Sequence, residues 1–132
     1  MDEPHLAQSL ELQDAISIAP FELQVCCTDR YVIVVDVTHL SENESSLWDS
    51  IQRVDQAQFY DLKWPFPLEP LQDGRGAAIY VQGFIDVVRG EKKLLSLGEL
   101  PHYKTVDVLI MPSLSAMLSQ PILKRTLWEN MR

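Results

Sequence analysis

Apolar and polar residues alternate with two periods along this chain. Phe21, Leu23 and Val25 fall on one side of an extended segment, with Glu22 and Gln24 on the other, which predicts a half-buried strand over 21–27. After Thr28-Asp29-Arg30, a tight connection, residues 31–37 are almost continuously apolar and β-branched. Such a strand needs cover on both faces, so it is expected at the centre of the sheet. The period then becomes helical. Ser41 followed by Glu44 matches a capping box, and Leu47, Trp48, Ile51 and Val54 follow at helical spacing. Residues 59–64 read as a third strand, expected to run parallel to the second because a helix separates them. Pro65, Pro67 and Pro70 impose an extended loop over 65–73. Residues 74–89 form a second helix, with Ala78, Val81, Ile85 and Val88 on one face and Gly90 as its stop. Strands follow at 93–97 and 106–111. Ser113 is a natural N-cap for a last helix that breaks near Gln120 and restarts at Pro121.

The order β-β-α-β-α-β-β-α predicts an α/β fold: three layers, a mostly parallel sheet of about four to five strands, and helices on both faces. Residues 21–132 form one domain. Residues 1–20 stand apart as an amino-terminal arm. Within it Leu6, Leu10, Leu12 and Ile16 include two pairs at i, i+4, compatible with a short amphipathic helix. A chain of 132 residues can bury a core without disulfide or metal. No apolar run is long enough to span a bilayer, and residues 1–20 lack a signal-peptide pattern, so a cytoplasmic protein is expected.

The formal net charge is −8, unevenly spread. Residues 1–60 hold 11 acidic and two basic residues; residues 61–132 hold 8 acidic and 9 basic. The first half would repel a phosphate backbone. Lys92-Lys93 and Lys124-Arg125 are too short to reverse that, so they read as solvated charges and direct nucleic-acid binding is not expected. Cys26 and Cys27 are neighbours in a strand, poorly placed to bridge each other. One is expected inside and one outside, with no strong positive charge nearby to make a reactive thiol.

The search for chemistry yields little. The central strand ends at Asp36 without a glycine-rich turn after it, and Gly74-Arg75-Gly76 lacks the third glycine of a dinucleotide fingerprint. His5, His39 and His102 have no partners at metal-ligand spacing, so neither metal nor cofactor is expected. Asp36, His39 and Ser113 could together mark a small enzyme or nucleotide site, but no nucleophile, base and oxyanion donors assemble in the pattern. An enzymatic reading thus stays open but finds no support in the residues themselves. Trp48, Trp64 and Trp128 are core candidates, and Trp128 could equally anchor a partner.

The carboxyl-terminal run Val108-Leu-Ile-Met-Pro-Ser-Leu-Ser-Ala-Met-Leu-Ser-Gln-Pro-Ile-Leu-Lys-Arg-Thr-Leu-Trp128 resembles the end of the psi subunit family of bacterial DNA polymerase III. The pattern is a strand, a Pro and Leu opening a short helix, a second break at Pro, and a helix ending Leu-Trp. The apolar strand 31–37, the acidic loop 40–46 and the helix with Trp48 are similar as well, so the resemblance covers about residues 20–131. It implies a non-catalytic adaptor in DNA replication. The arm, through Leu6, Leu10, Leu12 and Ile16, would dock on the clamp-loader gamma/tau subunits. The body would hold the chi subunit, with Trp128 a contact, and chi in turn contacts single-stranded DNA-binding protein. Unlike the family's arm, this one carries neither Trp nor Tyr.

Overall fold

The computed structural model describes residues 18–53, 56–68, 73–103 and 107–131. The arm residues Leu6, Leu10, Leu12 and Ile16 lie outside them. Five strands, β1 (Phe21–Cys27), β2 (Tyr31–Asp36), β3 (Gln58–Trp64), β4 (Lys93–Leu97) and β5 (Leu109–Met111), form one sheet in the order β3-β1-β2-β4-β5. The helices are α1 (Glu42–Gln52), α2 (Gly74–Arg89), α3 (Leu114–Ser119) and α4 (Lys124–Met131). A single 3-10 turn, Pro121–Leu123, joins the last two.

The sheet is mixed, which corrects the expectation of a mostly parallel one. β1 is antiparallel to both its neighbours, β2 and β3, whereas β2·β4 and β4·β5 are parallel. The physical reason is the three-residue turn after β1, which returns the chain directly alongside itself. Thr28 closes it: its N–H donates to the Tyr31 carbonyl at 2.9 Å, and its hydroxyl oxygen accepts from the Tyr31 N–H at 3.2 Å. β3 points the same way as β2, but β1 lies between them. β2 holds the central place that its apolar run predicts.

Strand alternation sorts the core into two clusters. One takes Phe21, Leu23, Val25 and Cys27 of β1, Val32 and Val34 of β2, and Leu62 and Trp64 of β3, against Ala77, Val81 and Ile85 of α2. The other takes Cys26, Tyr31, Ile33, Val35, Leu95 and Met111, against Trp48 and Ile51 of α1, Leu114 and Met117 of α3, and Leu127 and Met131 of α4. Each Val, Leu, Ile, Phe or Met side chain fully buried in this way contributes about 1.5–3 kcal/mol of transfer free energy. The buried stripe of α2 includes Ala77, not Ala78, which is only half-buried. Both cysteines are buried and neither is in a disulfide. The expected outward thiol does not occur, because helices cover β1 on the side of each of its last two residues.

The caps follow the sequence signals. At α1, Ser41 Oγ accepts from Glu44 N–H at 3.2 Å and Glu44 Oε1 accepts from Ser41 N–H at 3.4 Å. At α2, Asp73 Oδ1 accepts from the N–H groups of Arg75 and Gly76, each at 3.0 Å. Those donors, the Gly76 amide foremost and then the Arg75 guanidinium, hold the Asp73 carboxyl below the usual range. β4 ends at Gly98, whose φ of 79° and whose approach to Ser113 (a Cβ would lie 3.2 Å from the serine Cβ) both require glycine.

Candidate partner-binding surfaces

The carboxyl-terminal segment is built by two local signals. Ser113 Oγ accepts from Ala116 N–H at 3.1 Å and starts α3. Pro121 then opens the 3-10 turn, since its missing N–H costs nothing in a first turn. Leu127 and Met131 of α4 point into the second cluster. Trp128, one residue on from Leu127, is half-buried and packs at the margin of that cluster. With Pro121, Ile122, Arg125 and Glu129 it lines a shallow hollow, and Ile122 is 68 % exposed beside it. Trp48 and Trp64, in contrast, are core. Trp48 Nε1–H donates to Gln24 Oε1 at 2.8 Å.

A second surface lies between α2 and β3. Tyr60, Ile79, Tyr80, Gly83, Phe84, Val87 and Val88 line an open groove that is almost wholly apolar. Ring contacts tie it to the sheet: Tyr60 meets Phe84 edge-on at 6.5 Å, and Tyr80 stands 6.0 Å from Trp64 and stacks on Phe66 at 4.5 Å. Ile79 and Val87 are exposed, at 58 % and 83 %. The residue pattern predicts only one apolar face for this helix. The missed signal is that Ile79, Gly83 and Val87 form a further i, i+4 row beside the buried one, too much apolar surface for a single core-facing stripe.

On the opposite side of β1 and β3, Phe59, Asp61 and Lys63 are exposed, next to the half-buried Glu22 and Gln24. The register sets Glu22 beside Lys63 and Gln24 beside Asp61. Hydrogen bonding with Asp61, then burial and the repulsion of the Asp61 charge, raise the Glu22 carboxyl above its ordinary value. Two carboxyls thus share this patch with one lysine.

Asp36, His39 and Ser113 are distributed differently. Asp36 Oδ1 accepts from the Thr38 N–H at 3.0 Å and from the Thr38 hydroxyl, so it closes the turn after β2. His39 is exposed on that turn. Ser113 Oγ serves as the α3 cap. Asp36 ends β2 and Ser113 follows β5, with β4 between those strands, so they stand roughly 9–10 Å apart at the backbone by strand spacing. Asp36 Oδ1 and Ser113 Oγ are thus engaged by local backbone.

Cys27 differs from its expected surroundings. Lys92 Nζ lies 3.4 Å from its Sγ, so a cation does stand beside the thiol, and Lys92 is half-buried there rather than fully solvated. Lys93 Nζ donates to the Asn130 carbonyl at 3.1 Å, which ties the start of β4 to α4. Among the described residues no group of three or more His, Cys, Asp or Glu side chains could hold a metal ion, and no helix is long and apolar enough to cross a membrane. No family model, curated protein or solved structure matches the chain.

Proposed function

We propose that this chain is a non-catalytic adaptor of a bacterial DNA polymerase III holoenzyme, similar to the psi subunit. It would bridge the clamp-loader gamma/tau subunits to chi, and through chi to single-stranded DNA-binding protein. The observation that carries the reading is the carboxyl-terminal segment. It folds as the strand, serine-capped short helix, proline break and Leu-Trp helix on which the resemblance rests. The half-buried Trp128 beside the exposed Ile122 offers an aromatic anchor, and tryptophan is among the residue types that dominate interface energetics. The two buried clusters support a three-layer arrangement in which α2 covers one side of the sheet and the other helices cover the second. Such a rigid body, joined to an arm that binds elsewhere, raises local concentration without chemistry. The workplace of this assembly is the cytoplasm.

Mixing the chain with chi from the same organism and measuring mass across a size-exclusion column tests this. A one-to-one complex is expected, and Trp128→Ala should weaken it. Separate elution at micromolar concentration overturns the reading. Removal of residues 1–20 should abolish binding to the clamp-loader subunits and spare binding to chi.

A further inference from the structure

β3 is seven residues long, and among the described residues it has a strand on its β1 side only. Among the described residues no strand pairs with its other edge. Long exposed edges are normally blunted, since they recruit other strands. Here the apolar groove with Tyr60, Ile79 and Val87 runs along the same edge.

We propose that this edge and its groove form a self-complementary surface for a second copy of the chain, which extends the sheet by antiparallel pairing of β3 with β3. This inference does not rest on the adaptor reading.

Among the registers centred on residues 61–63, the sequence of the strand favours one. About a two-fold axis perpendicular to the sheet, directly opposed side chains must share a face, so each residue faces one of its own parity and a one-residue slip is excluded. With Leu62 opposite Leu62, the exposed Asp61 of each chain faces Lys63 of the other, twice over, and Tyr60 faces Trp64 on the α2 side. Centring the axis on Asp61 opposes Asp61 to itself. Centring it on Lys63 opposes Lys63 to itself and sets Asp61 against Pro65. Like charges directly opposite destabilise a strand pair, whereas opposite charges and aromatic pairs stabilise it. The charges that block the neighbouring registers therefore favour this one.

Charge surroundings point the same way. Lys63 already faces Glu22 of β1, and Asp61 lies diagonally across the same strand pair, so each patch has a surplus carboxyl that the other chain's ammonium approaches. The same operation brings α2 of both chains to the same side of the extended sheet. There the exposed row Ile79-Gly83-Val87 meets its own copy, and no heavy atom lies within 4 Å of a Cβ built at Gly83, which leaves space for close approach. A two-fold contact in which one patch serves both partners is the commonest way such a surface closes.

Sedimentation equilibrium of the full chain, from low micromolar to submillimolar, reads the result. A monomer–dimer equilibrium is expected. Asp61→Lys and Lys63→Asp each set like charges opposite at both ends and should raise the dissociation constant about tenfold or more. The double variant D61K/K63D restores both pairs and should recover most of the affinity. Both positions are exposed, so circular dichroism should report folded protein in every case. A chain that stays monomeric throughout overturns the proposal, including the case in which the single variants instead lose a complex with chi. Single variants that dimerise as well as the parent, or a double variant no better than the singles, overturn it equally.

Discussion

The two edges of the sheet are built differently. β5 is three residues long, its exposed Leu109 and Ile110 are followed at once by Met111 and Pro112, and the chain turns into α3. Brevity and proline leave little edge to pair with. β3 is more than twice as long, bonded to β1 along its whole length, and alternates buried Leu62 and Trp64 with exposed Asp61 and Lys63. One edge is protected by being short, the other by its charges. Only the second kind of protection can be matched by a partner that carries the right charges.

The contrast can be broken first in the core. Leu62 is 1 % exposed, and Leu62→Ala should cost about 2–5 kcal/mol in denaturant unfolding. Ile110→Ala, at a residue 57 % exposed, should stay within about 0.5 kcal/mol. Equal losses would mean that both edges are equally integrated. Next comes the turn that ends β5. Ser113→Ala removes the acceptor for Ala116 N–H and should cost about 1 kcal/mol, whereas Ser113→Gly should cost less through the cap, both read as a change in unfolding midpoint.

The smaller effects belong to the β1–β3 side. Glu22→Gln should stabilise slightly at pH 7, where it relieves repulsion from Asp61. Because the folded carboxyl titrates above its unfolded value, parent and variant should converge below the unfolded value, where the glutamate is already protonated in both states. Thermal melts at pH 7 and pH 3.5 decide this; a difference that persists at the lower pH points to packing instead. Smallest is His102, packed 5.2 Å from the Phe21 ring and pushed below 6.5 by burial. The unfolded chain takes up the proton first, so this residue's contribution is full above pH 6.5 and declines as the pH falls through that value. His102→Asn, which tolerates the φ of 58°, should flatten that part of the stability profile. An unchanged profile would exclude His102 as its source.

Local signals were legible in the residues. The capping box at Ser41 and Glu44, the Ser113 cap, the break at Pro121 and the central position of the 31–36 strand each depend on a few neighbouring residues and a single periodicity. What escaped depends on which strands become neighbours. Nothing in 59–64 says that it returns beside β1 rather than β2, since an alternating strand reads the same in either pairing. With that neighbour unknown, the closeness of Glu22 to Asp61 and the groove between Tyr60 and Phe84 were out of reach, and the approach of Lys92 to Cys27 depends in the same way on β4 pairing with β2. The separation of Asp36 from Ser113 is likewise a property of strand order.

Cys26 and Cys27 occupy successive positions on one strand, and alternation sends one thiol into each cluster. The chain therefore contains its own matched pair of reporters, at one depth along β1 and on opposite sides of the sheet. The rates at which a thiol reagent modifies each in the native protein, each divided by that thiol's rate in the unfolded chain, measure how often that side opens. The two rates separate a concerted unfolding from one in which α2 leaves the sheet before α1, and no foreign label is needed.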